Sequence, residues 1–233
     1  MANDLLDQVP ISSLTGLNRG LHSCPSSTMI ELMGRPREPL VQRECRNDQA
    51  CDAVKRLLET RRMTPHFRLS GIKPALDSVE AVLAKVKAAR PDLIEQLSTE
   101  GMICVRHKNP TSGAPSTDPS NHSWGAAVDF KFGNGEAPAN TGSKVPRWIA
   151  IMVPFFNEAG WFSGIAFNDT MHFEVADETI RQWAREGKLG AAPSRTDAPV
   201  VADAGTDGGA SSSSGRSTGS RIGNFFSGLF GHG

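Results

Sequence analysis

The sequence predicts an α+β fold, a central antiparallel sheet flanked by helices. Three observations predict it: apolar residues at helical spacing over 75–89, strict alternation over Ala126–Phe132, and no regular strand–helix–strand repeat. Residues 46–62 place Ala50, Val54, Leu57 and Leu58 at helical spacing. In 75–89, Leu76, Val79, Val82, Leu83 and Val86 share one face, with Pro74 just ahead of the helix and Pro91 limiting it. Met102–Arg106 is a short apolar run read as a strand. Lys108–Asn121, dense in Asn, Pro, Ser, Thr and Gly, is a loop. The alternating strand sets Ala126, Val128, Phe130 and Phe132 against Ala127, Asp129 and Lys131. Trp148–Glu158 reads as a helix entered through Pro146, with Pro154 expected to bend or break it. His172–Ala176 is a brief strand and Glu178–Glu186 a closing helix.

At 233 residues the chain has room for one ordinary domain plus appendages, and 38% hydrophobic residues suffice for one core. The boundaries read as an N-terminal extension packing on the core over 1–45, a main domain over 46–189, a linker over 190–219 and an aromatic segment over 220–233. The linker is Gly, Ala, Ser, Pro, Asp and Thr with almost no large apolar residue, too little to offset its ordering entropy. The aromatic segment reads either as a frayed terminus or as a peptide docking to a partner or a membrane surface. A net charge of zero and the lack of a basic stripe exclude nucleic acid as the expected partner. No apolar run approaches the ~20 residues of a transmembrane helix. Met1–Leu17 lacks the basic and apolar regions of a secretory signal, so synthesis in the cytoplasm is expected.

Cys24, Cys45, Cys51 and Cys104 form no paired CxxC knuckles, which argues against a structural zinc site. In a reducing cytosol they would be thiols. A bridge among Cys24, Cys45 and Cys51 is open to a protein working outside the cell, and Cys104 reads as a buried small residue.

The chemistry concentrates in two stretches. His122 ends the polar loop, Asp129 follows on the next strand, and Gly125 lets the backbone turn closely between them. Further on, Asp169-Thr-Met-His172 supplies a second imidazole and another carboxylate. Imidazole and carboxylate suit Zn²⁺, and a catalytic zinc site needs three protein ligands, an open position and a nearby base. His122, Asp129 and His172 can be the ligands and Asp169 the base. A His-x6-Asp spacing also arises by chance, and Asp169 beside Asn168 also fits an ordinary turn.

The string Ser120-Asn-His-Ser-Trp-Gly-Ala-Ala-Val-Asp129 resembles the SxHxxGxAxD signature of the zinc D-alanyl-D-alanine carboxypeptidase family. That family includes VanY-type enzymes and phage L-alanyl-D-glutamate endopeptidases, and shares a fold with hedgehog domains. Asp169-Thr-Met-His172-Phe-Glu174 resembles the second family signature, and Gly101–Arg106 resembles the strand that carries a substrate-positioning arginine. The segment Pro65–Val82 resembles one found before that strand in a VanY-like subgroup. The similarity spans roughly residues 24–186, with two motifs in the family's order.

The resemblance implies a hedgehog/DD-peptidase-like fold and a zinc peptidase domain over 46–189. It implies His122, Asp129 and His172 as ligands, Asp169 as general base, and Arg106 and Ser120 as binders of substrate carbonyl or carboxylate. The implied substrates are peptidoglycan stem peptides. The cleaved bond is either L-Ala–D-Glu or D-Ala–D-Ala, and an Asp rather than Glu at position 169 leans towards the first. The 106–120 stretch lacks the usual extra polar anchors. Action on the cell wall would follow release or export, as in phage lysis. The alternative is a non-catalytic, zinc-binding, hedgehog-like cell-wall binding module, which needs neither Asp169 nor Arg106.

Several residues keep two readings. Arg106 can stabilise an oxyanion or form a surface salt bridge. Trp124 can line the substrate site or pack beneath the metal. Glu174 can orient a ligand imidazole or sit on a strand surface. His66 reads as a partly buried strand or turn residue and His107 as a solvated loop residue, while His22 and His232 read as incidental. Trp161 and Phe162 read as core or site wall, and Trp183 as core.

Overall fold

In a computed structural model of the protein, the described residues are 4–109, 116–133 and 142–191, and all fall in one unit, Met1–Asp197. The expected linker and aromatic segment, and His232, lie outside the described residues, apart from the linker's first two positions.

The strands are β1 (Gln8–Pro10), β2 (Leu58–Arg62), β3 (Arg68–Ile72), β4 (Leu97–Gly101), β5 (Ala127–Phe132), β6 (Lys144–Pro146), β7 (Trp161–Ser163) and β8 (His172–Val175). The helices are α1 (Ser26–Met33), α2 (Asp52–Leu57), α3 (Lys73–Ala89), α4 (Pro91–Ile94), α5 (Arg147–Glu158) and α6 (Asp177–Arg185). The principal sheet has four antiparallel strands in the order β4-β5-β8-β7, and β1 pairs with β6 and β2 with β3 in two smaller antiparallel sheets. The α+β class with an antiparallel sheet therefore holds.

α3 follows its sequence pattern: Leu76, Val79, Val82, Leu83 and Val86 are all buried, and Pro74 sits in the first turn, where its missing N–H costs nothing. On β5, Val128, Phe130 and Phe132 are buried, while Asp129 and Lys131 on the other face are only partly covered. Phe130 packs edge-on against Phe67, Phe156 and Phe173, which ties β5 to α5 and β8. Trp161 and Trp183 are buried core residues, and Phe162 lies at the edge of the core.

Four expectations need correction. The helix read over 46–62 stops at Leu57, because Leu58–Arg62 pairs residue by residue with Ile72–Arg68; the ladder overrides the helical spacing. Met102–Arg106 is not a strand, since the ladder partner of β5 is Leu97–Gly101. The register shifts between Thr99 and Gly101, and Gly101 adopts φ +118°, which steers the chain off the sheet. α5 runs unbroken through Pro154, which lies on its exposed face. Finally, Cys104 is bonded to Cys45, leaving Cys24 and Cys51 as buried thiols. Sequence offered no distance between positions 59 residues apart.

Candidate metal centre

Three elements deliver the side chains. A 3-10 turn, Asn121–Trp124, carries His122, and β5 and β8 carry Asp129 and His172. The turn ends on Gly125 at φ +60°, ψ +34°, and a Cβ there would lie 3.0 Å from the Gly71 Cα. Only glycine satisfies both the left-handed backbone and that approach, which is closed by the Ile72 amide donating to the Gly125 carbonyl at 3.2 Å. β5 and β8 pair so that Asp129 stands directly opposite His172. Behind the second motif, Gly164 makes a similar close approach: a Cβ would meet the Asp169 carbonyl at 2.5 Å and the His172 Cβ at 2.9 Å. Sequence reading passed over Gly164, since one glycine among 23 carries no signal by itself.

His122 Nε2, Asp129 Oδ1 and His172 Nδ1 form a triangle. His122 Nε2 lies 3.2 Å from each of the other two, and His172 Nδ1 lies 2.9 Å from Asp129 Oδ1. Each imidazole is tied at its other nitrogen, His122 Nδ1 to the Met102 carbonyl at 2.9 Å and His172 Nε2 to Glu174 Oε2 at 3.0 Å. Those ties place the ring N–H groups on the outside and turn a lone pair inward from each ring. Two imidazole nitrogens and a carboxylate oxygen facing one another at this spacing suit a shared cation. A zinc ion bound at about 2.0–2.1 Å from each ligand sets ligand–ligand edges close to these separations. The donor set therefore fits zinc.

Electrostatics agree with that reading. Burial opposes the charge of Asp129, but His122 and His172 hold its carboxyl well below the usual carboxylate range. Burial likewise opposes the charge of His172, yet hydrogen bonds to Asp129 and Glu174 raise it to about 10. In the ion-free site a proton is thus held between Asp129 and His172, in the position a metal would claim.

Asp169 is half-buried, at the start of the turn that leads into β8, and its amide donates to the Gly164 carbonyl at 2.9 Å. Burial raises its carboxyl, tempered by His172, reinforced by Asp129, and lowered further by His122 and Arg106. It therefore senses all three triangle residues. Arg106 is half-buried, and its guanidinium donates to the His107 carbonyl at 3.2 Å. Burial lowers its pKa while Asp129 and Asp169 raise it, so its charge lies within reach of the site. Ser120 is buried, and its amide donates to the Arg106 carbonyl at 2.9 Å. Ser123 adds a second tie: its Oγ donates to the Arg106 carbonyl at 3.0 Å and accepts from the Arg106 amide at 3.1 Å.

Other residues fall elsewhere. Trp124 is fully buried and donates its indole N–H to the Gly34 carbonyl at 2.9 Å, so the substrate-binding expectation for it is corrected: the ring belongs to the core. His66 is exposed and faces Glu95, whereas His107 is largely covered, with Nε2 3.6 Å from Glu38. Both reverse the exposure expected of them, because His107 bridges to Pro119 instead of entering solvent. His22 pairs with Glu178. Glu174 is 4% exposed, which rules out a strand-surface role and leaves it against His172. Asn121, which the sequence did not single out, is buried beside that carboxylate.

No curated protein and no solved structure matches this chain. Arg106 lies ahead of the stretch that a family model does match, but Ser120, the triangle, Asp169 and Glu174 all lie inside it. That stretch, residues 114–175, matches the model of the D-alanyl-D-alanine carboxypeptidase family.

Proposed function

We propose that the protein is a zinc-dependent peptidase that hydrolyses amide bonds of peptidoglycan stem peptides, of the L-Ala–D-Glu endopeptidase or D-Ala–D-Ala carboxypeptidase type. The observation that carries this reading is the convergence of His122 Nε2, Asp129 Oδ1 and His172 Nδ1 within 3.2 Å of one another. A bound zinc ion supplies Lewis acidity and lowers the pKa of a water molecule.

The chain's own groups do the rest. Asp169 accepts the proton of the attacking water, which its raised pKa favours. The guanidinium of Arg106 stabilises the negative charge that builds on the scissile carbonyl oxygen. Asp169 then delivers its proton to the departing amine as the C–N bond breaks, leaving a carboxylate and a free amine. Ser120, buried beside Arg106, orients the substrate's carbonyl or carboxylate.

Incubating the zinc-loaded protein with purified muropeptides, followed by mass spectrometry, tests the reading. Release of a peptide with D-Glu at its free amino end, or of terminal D-Ala, identifies the bond cut. Unchanged muropeptides, with zinc demonstrably bound, would instead favour a non-catalytic cell-wall binding module.

A further inference from the structure

Glu174 meets the metal centre through His172, and two of its four donors come from a part of the chain outside the matched stretch. Its two oxygens have four donors. Oε1 accepts from Ser23 Oγ at 2.5 Å and from the Cys24 amide at 3.1 Å. Oε2 accepts from Asn121 Nδ2 at 2.8 Å and faces His172 Nε2 at 3.0 Å. A carboxylate offers about four lone-pair directions, so this one is saturated.

Asn121 locks the arrangement to the N-terminal segment. Its Nδ2 also donates to the Cys24 carbonyl at 2.9 Å, while its Oδ1 is buried without a hydrogen-bond partner among the described residues. The amide is therefore oriented by its NH2 end alone, at the expense of a buried acceptor. The segment itself is clipped to the strand and helix that follow His172. The Asp177 amide donates to the His22 carbonyl at 3.0 Å, and the His22 ring meets Glu178 at 2.5 Å.

We propose that Ser23 and Asn121 are positioning residues of the metal centre, acting through Glu174 on His172, so that the N-terminal segment completes the site. This rests on the metal reading above. With Glu174 fixed at four points, the His172 ring cannot rotate about its Cβ–Cγ bond without losing Nε2–H···Oε2, and Nδ1 stays aimed at Asp129 Oδ1. Loss of the Ser23 and Asn121 donors frees Glu174 to turn, and the inward lone pair of His172 is no longer held in the triangle.

The test uses the full-length chain stripped of metal, with zinc affinity measured by competition against a chromogenic chelator. Absorption spectra of the cobalt-substituted protein report ligand geometry. The Ser23→Ala/Asn121→Ala variant is expected to bind zinc roughly 10–100-fold more weakly and to shift the cobalt bands. Ser23→Thr, which keeps the hydroxyl at an exposed position, retains wild-type affinity where Ser23→Ala loses it. Near-UV circular dichroism checks folding; should the double variant fail to fold, Ser23→Ala alone carries the test. Wild-type affinity and wild-type cobalt spectra in a folded variant overturn the positioning role. Absence of zinc binding by the wild-type chain overturns the metal reading and this inference together.

Discussion

Asp129 and His172 occupy directly opposed positions on the antiparallel β5–β8 pair, with Oδ1 and Nδ1 2.9 Å apart. A cross-strand pair holds two ligands distant in sequence at a spacing set by the backbone ladder. His122, arriving on a separate turn, supplies the third corner. Replacing any one of the three with Ala is expected to abolish stoichiometric zinc binding and muropeptide hydrolysis together. Metal analysis of each purified variant beside its activity checks this; a variant that loses zinc but keeps full activity would refute the assignment.

Asp169→Asn is expected to separate the two properties. The variant should retain zinc while hydrolysis falls roughly 10²–10⁴-fold, the usual contribution of a positioned general base. Equal activity in the variant would remove Asp169 from the proton path.

The pH dependence has two parts with definite signs. Because burial raises the Asp169 carboxyl, its base form is lost at a higher pH than that of an ordinary aspartate. The acidic limb of kcat/KM should therefore lie at higher pH than an exposed aspartate would give, and should vanish in Asp169→Asn. In the metal-free protein His172 is raised from 6.5 to about 10. Its charged form therefore stabilises the fold fully below 6.5, and that contribution is lost as pH rises through about 10. Thermal midpoints of metal-free protein should fall across that window through this group, and zinc affinity should rise with pH as the ion displaces the proton.

The Cys45–Cys104 bond anchors the segment whose Met102 carbonyl orients His122. Thiol titration of denatured, unreduced protein should find two free thiols, Cys24 and Cys51, and four after reduction. Reduction, or Cys45→Ser with Cys104→Ser, should lower unfolding stability by about 2–4 kcal/mol, read from denaturant titration.

Gly125→Ala should cost at least ~1–2 kcal/mol from the left-handed backbone alone. The added Cβ 3.0 Å from the Gly71 Cα increases the cost and displaces the His122 turn. A lowered melting temperature accompanied by weaker zinc binding is the expected result.

Much of this was legible in the chain itself. The apolar stripe of α3 and the alternation of β5 are periodic signals that need no partner to be read, because burial of one face is all they encode. Two short motifs in a fixed order carried the candidate ligands and the resemblance to the family whose model matches residues 114–175. Features that depend on which segments meet were not legible. Helical spacing at Leu57–Leu58 gave way to the β2–β3 ladder. A bulge at Gly101 moved the strand ahead of Met102–Arg106, and Cys104 found Cys45 through the tertiary fold.

By itself, the sequence determined the residue types of the centre, since imidazole and carboxylate chemistry resides in the side chains and their motif spacing. The tertiary structure decided how those groups are aimed. Met102, Glu174, Ser23 and Asn121 hold the two imidazoles through hydrogen bonds that, apart from the one between Glu174 and His172, join residues remote in sequence. Hydrogen bonds of that kind are directional and short-ranged, so they exist only once the chain has brought their partners within about 3 Å.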